Sequence, residues 1–136
     1  MVSSEMINNS YYVGFEGEPQ LIFMYENLNV RYELQLWNGY FETLLDCLIE
    51  QANDRSGILH EYCAYEGWYE ESPWEIKNIK QAIQLFKSFD PNKLTEEDGV
   101  KASKNIKSIL PTLTSDIITF LEQANDIGNK VFIVYE

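Results

Sequence analysis

The sequence has few of the residues on which most catalytic and metal chemistry depends. One histidine, His60, and two cysteines, Cys47 and Cys63, occur among 136 residues. Two cysteines are too few for a disulfide framework, so we expect two free thiols in a cytoplasmic protein, with Cys47 in a helical core position. Apolar runs are short as well, since residues 21–25 form about the longest and a membrane span needs ~18 residues. The first ten residues lack a cationic and an apolar region, which predicts no secretory signal.

Positive charge is also scarce. Lys and Arg number 10 against 22 Asp and Glu, and the formal net charge of −12 argues against direct binding to nucleic acid. The excess lies in one part of the chain, because residues 1–76 contain fourteen acidic residues and two arginines whereas residues 77–136 are balanced. We therefore expect a partner that carries positive charge. The length predicts one domain over residues 1–136, and a content of 45% hydrophobic residues disfavours a disordered chain.

The first third of the chain has the period of β-strands. Tyr11, Val13 and Phe15 alternate with Tyr12 and Gly14. Residues 20–26 are almost continuously apolar, and residues 28–36 alternate between apolar and polar. This pattern predicts an N-terminal antiparallel meander of about three strands.

Helical spacing follows the meander. Apolar residues recur at three- and four-residue intervals over residues 39–54, which predicts an amphipathic helix. A second helix is predicted from Ser72, which is a good N-cap, with Pro73 at the first helical position and Glu75 completing a capping box. The Asp-Pro pair at residues 90–91 marks its end.

The last third is predicted to be helical with an interruption. Thr95 and the acidic residues after it resemble a helix start, and Pro111 predicts a break before a further helix over residues 112–126. Residues 131–135 are then a short apolar strand that we expect to rejoin the N-terminal sheet. A late strand added to sequential ones indicates an α+β fold, with the sheet packed against three to four helices.

The stretch over residues 60–75, HEYCAYEGWYEESPWE, combines glutamates with Tyr and Trp and has no Lys or Arg. Its spacing fits neither helix nor strand, which predicts a surface segment. Large aromatic rings provide contact area in an interface, and unpaired charges accelerate encounter with a cationic partner. The alternative is that the rings cover the sheet and the glutamates form a solvated rim. The predicted partner-binding residues are Glu61, Tyr62, Glu66, Trp68, Tyr69, Glu70 and Glu71.

The catalytic and metal alternatives depend on the same stretch. His60 and Cys63, with Glu61 and Glu66 beside them, fall short of the four Cys or His ligands of structural zinc. The His60–Cys63 pair is also the one candidate for nucleophilic catalysis. No phosphate-binding loop, dinucleotide motif, nucleophile elbow or calcium loop occurs. We therefore predict no catalytic residue, metal or cofactor, and we keep a small enzyme centred on His60 as an alternative.

The chain resembles the small bacterial immunity proteins that neutralise polymorphic or contact-dependent growth-inhibition toxins. The resemblance rests on size, acidity and the segment GWYEESPWEI over residues 67–76, which runs into a predicted amphipathic helix. It implies a cytoplasmic, non-enzymatic protein that binds a cognate toxin domain, often a nuclease, and covers its active site. A regulatory or scaffold module that binds another basic protein is the alternative of the same kind.

Overall fold

The computed structural model describes residues 4–51, 55–93 and 106–136, which form a mixed five-stranded sheet and four α-helices. The α+β class predicted from the sequence is confirmed. Short 3-10 helices occupy Gly67–Tyr69 and Pro91–Lys93. In chain order the other elements are β1 (Ser4–Tyr11), β2 (Gln20–Asn27), β3 (Val30–Trp37), α1 (Asn38–Gln51), α2 (Ile58–Ala64), β4 (Trp74–Glu75), α3 (Ile79–Lys87), α4 (Ile106–Asp126) and β5 (Phe132–Tyr135).

The sheet has the strand order β1-β3-β2-β5-β4. Strand β2 is antiparallel to both β3 and β5, so the two strongest predicted strands pair as expected and the C-terminal strand does rejoin the sheet. Strand β1 is instead parallel to β3 and occupies one edge. The N-terminal strands therefore do not form a simple antiparallel meander.

The first strand lies earlier in the chain than the sequence predicts. It ends at Tyr11, and the residues after it form turns in which Gly14 and Gly17 have φ angles of 99° and 94°. These angles suit glycine and prevent the predicted strand from continuing. Phe15 stacks on Trp37 with ring centroids 4.3 Å apart. Strand β1 is almost entirely exposed and polar, so its hydrophobic pattern carries no strand signal.

The core lies between one face of the sheet and the helices. Every second residue of β2 faces the helices, and Phe23 packs edge-on against Phe41 of α1 and Phe86 of α3. Tyr25 of the same strand stacks on Tyr32 of its neighbour, with ring centroids 4.7 Å apart. Burying aromatic rings of this size contributes most of the favourable free energy of such a core.

Helix α1 agrees with its prediction over the residues that the structure describes, since residues 52–54 lie outside them. Its buried side chains have the expected helical spacing and include Cys47, which is 2% exposed as the sequence predicted. The buried apolar positions of this helix are Tyr40, Phe41, Leu44, Leu45, Cys47 and Leu48.

The second predicted helix, with Pro73 at its first position, instead begins six residues later, at Ile79. Its N-cap is Asn78, whose side chain accepts a hydrogen bond from the Gln81 backbone N–H at 3.0 Å. The Ser72 hydroxyl oxygen instead accepts a hydrogen bond from the Tyr135 N–H at 3.0 Å, and Trp74 pairs with the C-terminal strand. Long-range sheet pairing therefore overrides a local capping signal.

The predicted break at Pro111 does not occur, because α4 continues from Ile106 to Asp126 through this residue. A proline inside a helix removes one hydrogen bond, and burial of a long apolar stripe on α4 compensates for that loss. The predicted helix start at Thr95 lies outside the described residues. The fully buried residues of the stripe are Leu110, Leu113, Ile117, Leu121 and Ala124.

Candidate functional site

The acidic aromatic stretch is ordered as a helix and a tight turn, although its sequence pattern predicts neither. Helix α2 ends at Ala64, its C-cap Tyr65 has the left-handed conformation, and a 3-10 turn follows at Gly67–Tyr69. Gly67 is buried with a φ angle of 63°, and a Cβ there would lie 2.9 Å from the Glu61 Cβ. Only glycine fits this position, because both the backbone angle and the close approach exclude a side chain.

Trp68 lies inside the protein, which corrects the prediction that it anchors a partner. Its side chain is 1% exposed, and its ring packs edge-on against Phe41 and Trp74 at centroid distances of 5.8 and 5.5 Å. The physical reason is that the 3-10 turn directs this ring inward, onto α1 and β4. The alternative interpretation of the sequence, in which the ring covers the core, is correct for Trp68.

Tyr62 and Tyr69 are half-buried and bind two carboxylates of helix α1. The Tyr62 hydroxyl donates to Asp46 at 2.7 Å, and the Tyr69 hydroxyl donates to Glu42 at 2.8 Å. Glu42 and Asp46 are four residues apart and therefore share one face of the helix. The two hydrogen bonds join α1 to α2 and to the 3-10 turn, and they hold the carboxylates at the protein surface.

The same contacts determine how these tyrosines ionise. Burial raises the pKa of the Tyr62 hydroxyl, and the hydrogen bond to Asp46 and the negative charge of Asp46 raise it further. Burial and Glu42 raise the pKa of the Tyr69 hydroxyl in the same way. Both hydroxyls therefore remain protonated, and remain hydrogen-bond donors, at pH values above the ordinary tyrosine pKa of about 10.

Three further glutamates, Glu66, Glu70 and Glu71, are exposed around the 3-10 turn. Ion pairs among the described residues join Arg31 to Glu33, Lys87 to Glu122, and Lys77 and Lys130 to Glu75. None of these pairs involves the glutamates around the turn or the two carboxylates of α1. We call the following set the acidic tyrosine face: Glu42, Asp46, Tyr62, Tyr65, Glu66, Tyr69, Glu70 and Glu71.

Tyr65 is the most exposed ring of this face, at 68% of its surface. It has a φ angle of 55°, a conformation that is unfavourable for a bulky residue, and its ring lies 5.1 Å from that of Tyr69. The sequence-based prediction omitted Tyr65 and also Glu42 and Asp46. The two carboxylates carried a usable signal, because they lie on the polar side of the predicted helix, opposite its apolar stripe.

Glu61 is placed differently from the other predicted residues. It is half-buried and lines a cavity of about 470 Å³ between α2, β4 and α3, together with Trp74. Of the seven predicted residues, the structure therefore brings five together on the acidic tyrosine face. It places Trp68 in the core and Glu61 at the cavity.

The residues of the enzyme alternative are exposed on helix α2. Both His60 and Cys63 are at the surface, and Cys63 is a free thiol. Neither lines this cavity or the two surface hollows near Asp116 and near Lys130. Within residues 4–51, 55–93 and 106–136, no three His, Cys, Asp or Glu side chains are grouped so that they could hold a metal ion.

Comparison of the chain with protein-family models, with curated proteins and with solved structures gives no significant match. No helix in the described part of the chain combines the length and the apolar character that crossing a membrane requires. The acidic tyrosine face is therefore the feature of the molecule that best indicates a function.

Proposed function

We propose that this protein binds a basic protein through the acidic tyrosine face, and that it acts in the cytoplasm as an immunity protein that neutralises a cognate toxin. One observation carries the proposal. The carboxylates of the acidic tyrosine face form no ion pair with any cation in the described residues, although they are gathered beside tyrosine rings. A surface of this kind has its charge available for a partner.

The two components of the face have different effects on binding. Exposed carboxylates attract a cationic partner from a distance and raise the association rate, whereas buried aromatic contacts slow dissociation. Tyrosine suits the second effect because its ring is rigid and its hydroxyl forms hydrogen bonds. Tyr62 already binds Asp46 and Tyr69 already binds Glu42, so the face is ordered before the partner arrives. Such preorganisation reduces the entropy lost on binding.

The toxin is the partner that the resemblance to immunity proteins implies, and a nuclease is the toxin class that the charge favours. A nuclease has to present cationic groups to the phosphates of its substrate. An acidic surface with aromatic rings can occupy such a site and exclude the nucleic acid. A regulatory module for another basic protein would use the same face, and the two functions differ in the identity of the partner.

The product of the neighbouring reading frame is the partner to test. We expect its expression to arrest growth and co-expression of this protein to restore growth, with a complex measurable by calorimetry. Tyr65→Gly removes the exposed ring from a left-handed position and should weaken binding by about thirtyfold, the effect of a hot spot worth about 2 kcal/mol.

Leu28→Gly is the matched control. Leu28 is also left-handed, with a φ angle of 51°, and 87% exposed, but it lies in the turn between β2 and β3. We expect this variant to bind like the wild type. Equal affinities for both variants and the wild type would exclude the acidic tyrosine face. A complex that forms with a different basic protein, without toxicity or rescue, would identify the regulatory module instead.

A further inference from the structure

The cavity between α2, β4 and α3 lies outside the acidic tyrosine face. Its volume of about 470 Å³ falls within the range of about 300–1,000 Å³ that ligand pockets have. Its walls are mainly apolar. The apolar side chains that line it are Ile58, Trp74, Ile76, Ala82 and Leu85.

Most polar groups on its wall already have partners within the protein. The Gln51 amide binds the backbone of Asp90 through both of its atoms, at 3.2 and 2.8 Å. The Asn78 oxygen caps α3, and the Gln81 amide donates to the Ser56 hydroxyl. These groups are therefore occupied and contribute little attraction for a ligand.

Among the described residues that line this cavity, Glu61 is the one with an acidic side chain. Its carboxylate forms neither an ion pair nor a side-chain hydrogen bond with any of the described residues. The Glu61 side chain is half-buried at one side of the cavity. Lys77 is the cation that lines the same cavity, but it is 78% exposed and lies 4.0 Å from Glu75. The cavity thus combines an apolar wall with one available negative charge.

This combination matches one kind of side chain. An arginine has an apolar stem and a planar cation, which can stack on an indole ring and bind a carboxylate with two hydrogen bonds. We propose that the cavity binds an arginine side chain of the cationic partner, with its stem against Trp74 and Leu85 and its guanidinium group at Glu61. The proposal rests on the proposed function, since the arginine belongs to the protein that the acidic tyrosine face recruits.

The position of Trp68 supports a joint interface. This buried ring touches Tyr69 of the acidic tyrosine face and Trp74 of the cavity, at centroid distances of 5.4 and 5.5 Å. A single ring therefore separates the cavity from the face. A partner bound to the face is close enough for one of its side chains to enter the cavity, and that side chain would fix the orientation of the complex.

The probe for this site is N-acetyl-L-arginine methylamide, titrated into the isotopically labelled protein and followed by NMR. We expect saturable shifts at the Trp74 indole and at the Ala82 and Leu85 amides, with a dissociation constant of roughly millimolar order. The corresponding citrulline derivative has almost the same shape without the charge, and it should bind about tenfold more weakly. The corresponding free amino acid arginine should bind no better than the blocked derivative.

Glu61→Gln is the decisive variant, because it keeps the shape that packs against Gly67 and removes the charge. It should reduce arginine binding about tenfold and leave citrulline binding unchanged. Glu26→Gln, an exposed change at the far end of β2, is the control and should not affect either probe. Equal binding of both probes, or no effect of Glu61→Gln, would overturn the arginine site.

The outcome is independent of the toxin experiment. If the probes fail while Tyr65→Gly still weakens the complex with the basic partner, the arginine site is wrong and the acidic tyrosine face stands. If the probes bind as expected and no basic partner binds the protein, the cavity takes a small guanidinium ligand and the proposal that a protein partner fills it is wrong.

Discussion

Trp68 fills the space between helix α1, the 3-10 turn and strand β4, where it contacts Phe41, Tyr69 and Trp74. Replacing a buried tryptophan by alanine removes its transfer free energy and leaves a cavity. We expect Trp68→Ala to lower the free energy of unfolding by about 3–5 kcal/mol, measured by urea denaturation.

Trp68→Phe tests how much of this loss comes from the packing of the ring. The Trp68 indole nitrogen is buried without a hydrogen-bond partner. Phenylalanine keeps much of the ring and removes this nitrogen, so Trp68→Phe should lower the free energy of unfolding clearly less than Trp68→Ala does. A loss below about 1 kcal/mol for Trp68→Ala would contradict the burial of the ring, and it would restore Trp68 as an exposed binding residue.

Tyr62 and Tyr69 give the protein a defined response to alkaline pH. Their pKa values are raised in the folded state by burial and by Asp46 and Glu42, while the unfolded chain has the ordinary value of about 10. Their contribution to stability is therefore complete below pH 10 and is lost as the pH rises above it, because the unfolded chain releases protons that the folded protein retains. Above pH 10, each tyrosine lowers the free energy of unfolding by up to about 1.4 kcal/mol per pH unit.

Phenylalanine variants test this response. We expect Tyr62→Phe and Tyr69→Phe each to make the decline in unfolding free energy between about pH 10 and 11 shallower than in the wild type. A decline should remain, because burial also raises the pKa values of Tyr11 and Tyr25. Denaturation at a series of pH values measures these slopes. Identical slopes for the wild type and both variants would contradict the buried tyrosine–carboxylate bonds.

At the scale of secondary-structure elements, helix α3 depends on a cap that the sequence pattern misplaces. Asn78 accepts the Gln81 N–H, whereas Ser72 accepts the Tyr135 N–H. Asn78→Ala should lower the free energy of unfolding by about 1 kcal/mol and accelerate hydrogen exchange at the Gln81 amide. Asn78→Ser keeps a capping oxygen and should restore both the stability and the slow exchange. Ser72→Ala should accelerate exchange at Tyr135 and leave Gln81 unchanged. Faster exchange at Gln81 in Ser72→Ala would favour the cap predicted from the sequence.

The elements that the sequence predicts well are those in which burial and local pattern agree. Strand β3 and helix α1 each have one buried face, so their periods are visible in the sequence, and strand β2 is visible as a nearly continuous apolar run. Strand β1 buries almost nothing, and only its pairing with β3 defines it. Strand β4 has two residues and depends on β5, which is far away in the sequence. Such long-range pairing leaves no local signal.

The candidate site also has a part that the sequence predicts and a part that depends on long-range contacts. Composition identified the segment and most of the face, including Tyr62 and Tyr69, because unpaired acids beside aromatic residues are visible without coordinates. The direction of each ring was not predictable, since Trp68 and Tyr69 are neighbours in one short turn and differ in burial. The contacts of the two α1 carboxylates also required the tertiary structure, because the hydrogen bonds of Glu42 and Asp46 join residues 27 and 16 positions apart.

At the scale of the whole molecule, the charge is distributed unevenly along the chain. The net charge of −12 is contributed entirely by residues 1–76, and that segment contains the whole acidic tyrosine face. An uneven field orients a charged partner before contact and raises the association rate. At 0.1 M salt this attraction extends over about 10 Å, and a higher salt concentration shortens its range. The position of the charge therefore matters more for association than its total.

Two double variants with the same change in net charge test this dependence on position. Glu70 and Glu71 lie on the acidic tyrosine face, whereas Glu26 and Asp126 are exposed at the end of β2 and at the end of α4. We expect Glu70→Gln/Glu71→Gln to lower the association rate with the basic partner by about tenfold at low salt and to reduce its salt dependence, with little change in dissociation. Glu26→Gln/Asp126→Asn should change the association rate much less, because these groups lie outside the contact. Stopped-flow measurements at several salt concentrations determine the association and dissociation rates. Equal effects of the two double variants would mean that total charge, rather than the acidic tyrosine face, governs association.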